Sequence, residues 1–138
     1  MEIKKISPED TWSIRQSVMW PDKPLTYVQL AEDENGLHYG VFENDELLSV
    51  ISLFMENDNA QFRKFATQVI HQGKGRGSAL LNFLIHECEK QHIKNLWCNA
   101  RTTAYPFYQK FGFEIVSETW TKDGIEFVKM SKTFKTQI

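Results

Sequence analysis

The chain is poor in the features that announce a metal site, a membrane span or a nucleic-acid partner. It has only 2 cysteines and 4 histidines in 138 residues. Cys88 and Cys98 form no ligand spacing, and His38, His71, His86 and His92 include no pair four residues apart, so no metal is expected. Cys88 falls on the apolar side of a helical pattern and Cys98 in a buried-strand pattern, which fits inert reduced thiols better than a catalytic thiol. Neither charge is in excess: 16 basic against 18 acidic side chains leave a net −2, which gives no general basis for nucleic-acid binding. No apolar run approaches the roughly 20 residues that cross a bilayer. The first residues carry Glu2, Lys4, Lys5 and Glu9 where a signal segment would be apolar. A cytoplasmic protein, with neither membrane nor nucleic acid as partner, is expected. Low complexity is missing too: the chain is 41% hydrophobic and 25% charged, the balance of a globular protein. Its length suits a single domain spanning residues 1–138.

Glycine is also scarce, yet three of the 7 fall at alternate positions in Gln72-Gly73-Lys74-Gly75-Arg76-Gly77-Ser78. An apolar run precedes them and an amphipathic run follows, which reads as strand, turn and helix. Glycine allows close backbone approach and positive φ, while a helix start offers unpaired N–H groups to an anion. Lys74 and Arg76 add two cations, either on the phosphates or solvated in the loop. The turn therefore reads as a phosphate cradle, beside the plainer reading of a glycine-rich turn. The P-loop is excluded, because no Gly-Lys is followed by Ser or Thr. The dinucleotide fingerprint fails because it requires glycine at Ser78 or at Leu80. The pattern met by Gln72, Gly75 and Gly77 is Gln/Arg-x-x-Gly-x-Gly/Ala. It resembles the coenzyme A pyrophosphate loop of the GNAT family of acyl-CoA-dependent N-acetyltransferases.

Around this turn the sequence predicts an alternating chain. A strand over residues 2–6 leads to a helix opened by Ser7-Pro8-Glu9-Asp10 and stopped by Pro21. A second helix is expected near residues 25–31. Strands over 37–42 and 47–55 pair through a turn at 43–46, and 61–70 makes a long third strand. On it Phe65, Thr67 and Val69 should share one face, and Phe62, Lys64 and Ala66 the other. A helix over residues 75–92 carries the stripe Leu80, Leu81, Leu84 and Cys88. Residues 95–100 then form the parallel partner of the third strand. A short helix over 103–111 ends at Gly112, and strands over 113–118 and 125–134 join through a turn at 121–124.

A second motif carries the resemblance further. Ala100-Arg101, then Ala104-Tyr105-Pro106-Phe107-Tyr108-Gln109-Lys110-Phe111-Gly112-Phe113, is similar to the GNAT pattern Ala-Arg, a gap, Ala-x-x-Phe-Tyr-x-Lys-x-Gly-Phe. Phe65-Ala66-Thr67 resembles the family's Leu-Ala-Val on the strand before the loop. Glu126 and Phe127 stand where the subgroup resembling ElaA-like acetyltransferases has Pro-His. The resemblance implies the GNAT fold, an α/β, α+β sandwich: a mixed, mostly antiparallel sheet of about six to seven strands, a parallel pair splayed at the coenzyme site, and helices on both faces.

It also implies acetyl-CoA as co-substrate and a small-molecule amine as acceptor, with the protein a monomer or homodimer. Coenzyme contacts carry over to Phe65, Ala66, Thr67, Gln72, Gly73, Lys74, Gly75, Arg76, Gly77, Ser78, Asn99, Ala104, Phe107 and Tyr108. Tyr108 takes the role of general acid toward the leaving thiolate, and the Thr67 backbone N–H that of oxyanion contact. Packing against Phe107 and Phe111 is the rival role for Tyr108. Arg101 pairs with a carboxylate or touches the coenzyme; Asn99 faces the coenzyme cleft or only the neighbouring strand. The family often carries a carboxylate base on the strand before the loop, and residues 61–70 have none. Glu56 and Glu118 are the substituted candidates on the acceptor side, acting through water. Two functions stay open: an N-acetyltransferase, and a non-catalytic acetyl-CoA-binding sensor or interaction module.

Overall fold

A computed structural model describes residues 1–135. Eight strands form a mixed, mostly antiparallel sheet with one parallel pair. The chain groups into two compact units, one of 1–54 and 62–84, the other of 55–61 and 85 onward.

In the first unit β1 (Glu2–Ile6) lies antiparallel to β2 (Leu37–Glu43), with Glu2 opposite Phe42 and Ile6 opposite His38. β2 pairs antiparallel with β3 (Glu46–Glu56) through Asn44 and Asp45, at φ 51° and 64°. Two successive left-handed residues give the tight turn whose twist suits a hairpin, and Asn and Asp tolerate that conformation. α1 (Pro8–Met19) starts as its sequence predicts: Asp10 accepts a hydrogen bond from the Ser7 N–H at 3.1 Å, one half of a capping box. Its Ile14 packs with Val50 and Ala66, and Ile6, Val18, Met19 and Leu47 close around them. The helix expected near 25–31 is instead two short 3₁₀ turns, Leu25–Val28 and Asp33–Asn35. Two side chains tie their backbone down, Arg15 by donating to the Val28 carbonyl and Asp33 by accepting from the Leu30 N–H.

β4 (Asn59–Thr67) is shorter than the strand expected over 61–70. It ends at Thr67, and Val69–His71 turns as a 3₁₀ helix. Its face assignment also needs correction. Lys64 has φ 55°, left-handed inside a strand, and the rings of Phe62 and Phe65 meet edge to face at 6.1 Å. In a regular strand residues three apart point to opposite faces. A bulge at Lys64 shifts the phase by one residue, so Phe62 joins Phe65 and Thr67 while Ala66 enters the α1 core. Holding Lys64 there costs on the order of 1–3 kcal/mol, which the packing of its neighbours must offset.

In the second unit the first residues of β4 run parallel to β5 (Asn95–Arg101), Asn59 beside Asn95 and Gln61 beside Trp97. β5 is antiparallel to β8 (Ile125–Thr133) along its whole length, from Asn95 opposite Thr133 to Arg101 opposite Phe127. α2 (Arg76–Lys90), which begins in the first unit and ends in the second, precedes β5, and α3 (Tyr105–Gln109) follows it. Leu80, Leu81, Leu84 and Cys88, the expected stripe, are all fully buried. The strand expected over 113–118 contracts to β6 (Glu114–Ile115). Where a turn over 121–124 was expected, β7 (Trp120–Lys122) pairs with β8 through Asp123 and Gly124, at φ 52° and 76°. The hairpin is tighter by two residues than the composition of that stretch implies, and the strand count rises to eight.

Candidate active site

The glycine turn belongs to the first unit, and its three glycines do different work. Gly73 and Gly75 have φ 75° and 85°, and a Cβ on either would meet nothing within 4 Å. Backbone conformation, not packing, demands glycine there. Gly77 has an ordinary conformation, but a Cβ on it would stand 3.3 Å from the Phe65 ring and 3.4 Å from Thr67 Oγ1. It is the place where α2 begins hard against β4. The Ala79 N–H reaches the Gly75 carbonyl at 3.0 Å, so the N–H groups of Arg76, Gly77 and Ser78 precede the helical ladder and are free of it.

Side chains brace this turn from within. Gln72 donates its side-chain N–H to the Thr67 carbonyl at 3.0 Å. Ser49 donates to the Ala66 carbonyl at 3.1 Å and shares a 2.8 Å hydrogen bond with the Thr67 hydroxyl. Gln68 binds β3 twice, its backbone N–H to the Leu48 carbonyl at 2.8 Å and its side chain to the Leu47 carbonyl at 2.6 Å. Together they hold the end of β4 although it leaves the strand geometry at Gln68. Arg76 is not a solvated loop charge. Its Nε donates to Glu43, at the end of β2, and its Nη1 to the Lys74 carbonyl at 3.3 Å. The hydrogen bond with Arg76 holds the Glu43 carboxyl below its usual range. Lys74 is exposed.

Asn99, Ala104, Phe107, Tyr108, Glu56 and Glu118 belong to the second unit. Ala104 caps α3, whose second residue is Pro106. Tyr108 sits half-buried with its ring 6.1 Å from Phe113 and 5.3 Å from Phe107. Burial pushes its phenol above the ordinary value, the neighbouring Cys98 adds to the rise, and the charge of Arg101 offsets part of it. The phenol thus stays protonated through neutral and mildly alkaline pH. Phe107 also contacts Phe111, at 5.1 Å. Cys98 and Cys88 are buried and their thiols pushed up to about 12, chiefly by desolvation, which leaves both as unreactive thiols. Asn99 is exposed opposite Lys129, and Arg101 is half-buried opposite Phe127. Glu56 and Glu118 are both exposed, the first at the end of β3 and the second between β6 and β7. β4 carries no carboxylate anywhere from Asn59 to Thr67.

One cluster escaped the reading of the letters. Arg15 and Asp33, both buried, form a bidentate pair at 2.8 and 2.9 Å. Asp33 also accepts from Trp12 Nε1 at 3.2 Å and the Leu30 N–H at 3.0 Å, while Arg15 donates to the Val28 carbonyl and to Ser52. His38 closes the network, sharing a hydrogen bond with Ser52 at 2.6 Å and donating to the Asp33 carbonyl at 2.8 Å. Burial raises the Asp33 carboxyl, but the hydrogen bonds and charge around it, Arg15 foremost, outweigh that and hold it below its usual value. Nothing local marks these residues, since their meeting depends on α1, the 3₁₀ turns and two strands. Among the described residues no group of three or more His, Cys, Asp or Glu is placed to hold a metal ion, and no helix is long and apolar enough to cross a membrane.

The family profile described as "Acetyltransferase (GNAT) domain" matches residues 12–134. "Uncharacterized N-acetyltransferase YitI" of Bacillus subtilis is 30% identical, over 99% of this chain and 98% of the relative. Among solved structures, Escherichia coli ElaA superposes with a TM-score of 0.78 at 20% identity, covering 95% of this chain and 98% of that one. A GNAT family acetyltransferase from Elizabethkingia anophelis with acetyl-CoA bound gives 0.76 at 18% identity, covering 96% and 97%. At such identities the structural likeness speaks for the fold.

Proposed function

Because this chain belongs to the GNAT acetyltransferase family, we propose that it moves an acetyl group from acetyl-CoA to the primary amine of a small molecule or an exposed amino group, by direct attack in a ternary complex. The observation that carries this reading is the 72–78 turn. Gly73 and Gly75 are left-handed with open space where side chains would stand, and the turn runs straight into the start of α2. Those are the properties a pyrophosphate needs: backbone N–H donors, the positive end of a helix, and no side chain in the way. Lys74, exposed, supplies a cation; Arg76 contributes its backbone N–H, because Glu43 already holds its guanidinium.

Bound acetyl-CoA supplies the activated thioester. In this chain the roles fall to few residues. The backbone of Phe65, Ala66 and Thr67 pairs with the pantetheine arm as an added strand would. Two observations support that role. The parallel ladder covers only Asn59–Gln61, and the bulge at Lys64 breaks the regular edge beyond it. The Thr67 N–H faces the developing oxyanion. Tyr108 donates to the leaving sulfur. A phenol held above its usual value is a weak acid toward a thiolate, so its proton must be replaced promptly, and the Arg101 charge eases the transient phenolate. With no carboxylate on β4, the acceptor ammonium loses its proton through ordered water to Glu56 or Glu118.

The test is free-thiol release from acetyl-CoA on adding a panel of amines, with Tyr108→Phe beside the parent protein. Turnover should fall by about ten- to a thousandfold in the variant while acetyl-CoA affinity holds. Equal turnover in Tyr108→Phe returns Tyr108 to packing alone. Tight acetyl-CoA binding with no turnover on any amine favours a binding module instead.

A further inference from the structure

One face of the β5–β8 ladder is packed: Leu96, Cys98, Ala100, Val128 and Met130 are each at most 2% exposed. The alternate residues are not buried. Register sets Arg101 opposite Phe127 and Phe127 opposite Trp120, so the three make one row across β5, β8 and β7. The Trp120 and Phe127 rings lie stacked, with centroids 6.0 Å and planes 23° apart. Trp120 nonetheless remains 37% exposed. Along the same face, Asn99 stands opposite Lys129, whose ammonium lies 4.4 Å from the centre of the Trp97 ring.

Two cations, Arg101 and Lys129, stand on this face. Among the described residues neither Arg101 nor Lys129 is in an ion pair. The nearest acidic neighbours in the register do not answer them: Glu114 is opposite Ser131 at the other end, and Glu126, opposite Thr121, alternates to the other face. An exposed tryptophan stacked beside an uncompensated arginine is a combination found where ligands are recognised, because the ring offers rigid contact area and the guanidinium fork matches a carboxylate. The Arg101 charge also lowers the Tyr108 phenol, which links the row electrostatically to the group assigned to the leaving thiolate.

Resting on the acetyltransferase reading above, we propose that the row Arg101, Phe127 and Trp120 is the acceptor subsite. Its substrate is a primary amine that also bears a planar ring and a carboxylate, the chemistry of an aromatic amino acid. The ring lies on Trp120 and the carboxylate meets Arg101. The acidic turn residues Glu56, Asp58, Glu118 and Asp123 would by themselves point to a polycationic amine, which spermidine represents in the test below.

Four amines separate the possibilities in the thiol-release assay: L-tryptophan, tryptamine without the carboxylate, L-alanine without the ring, and spermidine with neither. L-Tryptophan should exceed each of the others in kcat/KM by about tenfold or more. Trp120→Ala should bring it down to the level of L-alanine and Trp120→Phe should restore most of the loss. Arg101→Gln should remove the preference for L-tryptophan over tryptamine, whatever it does to turnover of both, with partial recovery of the preference in Arg101→Lys. Acetyl-CoA affinity should hold throughout, which shows that the variants are folded. Preference for spermidine, or an unchanged ranking in Trp120→Ala and Arg101→Gln, overturns the subsite while leaving acetyl transfer standing. If no amine releases thiol, acetyl transfer fails, and calorimetry with N-acetyl-L-tryptophan decides the subsite by itself. Binding lost in Trp120→Ala supports it, and no binding to the parent protein overturns it.

Discussion

Replacing Asp33 by Asn tests whether the buried network holds the first unit together. The Arg15 side chain is 0% exposed and that of Asp33 4%, so neither charge has water to fall back on. The substitution keeps shape but removes the charge and turns one acceptor oxygen into a donor. It faces four donors with a group suited to about half of them: two from Arg15, one from Trp12 and one from the Leu30 backbone. Breaking such a pair costs about 3–5 kcal/mol, out of a total stability of about 5–15 kcal/mol. The melting temperature should therefore drop on the order of 10–20 °C. Replacing both partners, Arg15→Met with Asp33→Leu, should cost less than Asp33→Asn alone, because no charge is left stranded. The pH dependence has a definite sign. The folded carboxyl titrates below its unfolded value, so its contribution is fully present above about pH 4 and is lost as pH falls through the lower, folded value. Urea unfolding at pH 7 and through the acid range measures both. A loss under about 1 kcal/mol for Asp33→Asn, or acid sensitivity equal to the parent's, would refute the argument.

Other expectations follow from the same geometry. Gly75→Val and Gly77→Val should both weaken acetyl-CoA binding and lower stability by about 1–3 kcal/mol, the first by forcing a branched residue into a left-handed turn and the second through contact with Phe65 and Thr67. Melting follows stability and calorimetry follows binding, and unchanged affinity in a folded Gly77→Val protein would remove the loop assignment. If deprotonation runs through water, Glu118→Gln should retain most turnover, and kcat/KM should rise with pH toward the amine's own pKa; abolished turnover with normal coenzyme binding would reveal a dedicated base. Cys88 and Cys98 should resist iodoacetamide in the native protein at pH 8 and react only on unfolding, as mass spectrometry can follow.

What the sequence determined by itself is what sits in short windows. The start of α1 at Ser7 and Pro8, the stripe on α2, the alternation of Leu96, Cys98 and Ala100, and the glycine turn each depend on residues within a turn or two of one another. Backbone sterics and burial on one face suffice to specify them. The tertiary structure decided everything that needs a partner from elsewhere in the chain. Lys64 is left-handed although its residue type disfavours it, because the flanking stretches of β4 pack in different phases. Arg15 is buried because Asp33, Ser52 and the Val28 carbonyl meet it, and no window that holds Arg15 contains them. Arg76 meets Glu43 from the end of β2 only in the fold, since no window of sequence joins the two. Trp120, Phe127 and Arg101 become one row only through strand register, since pairing joins residues that the chain separates by a helix and two turns.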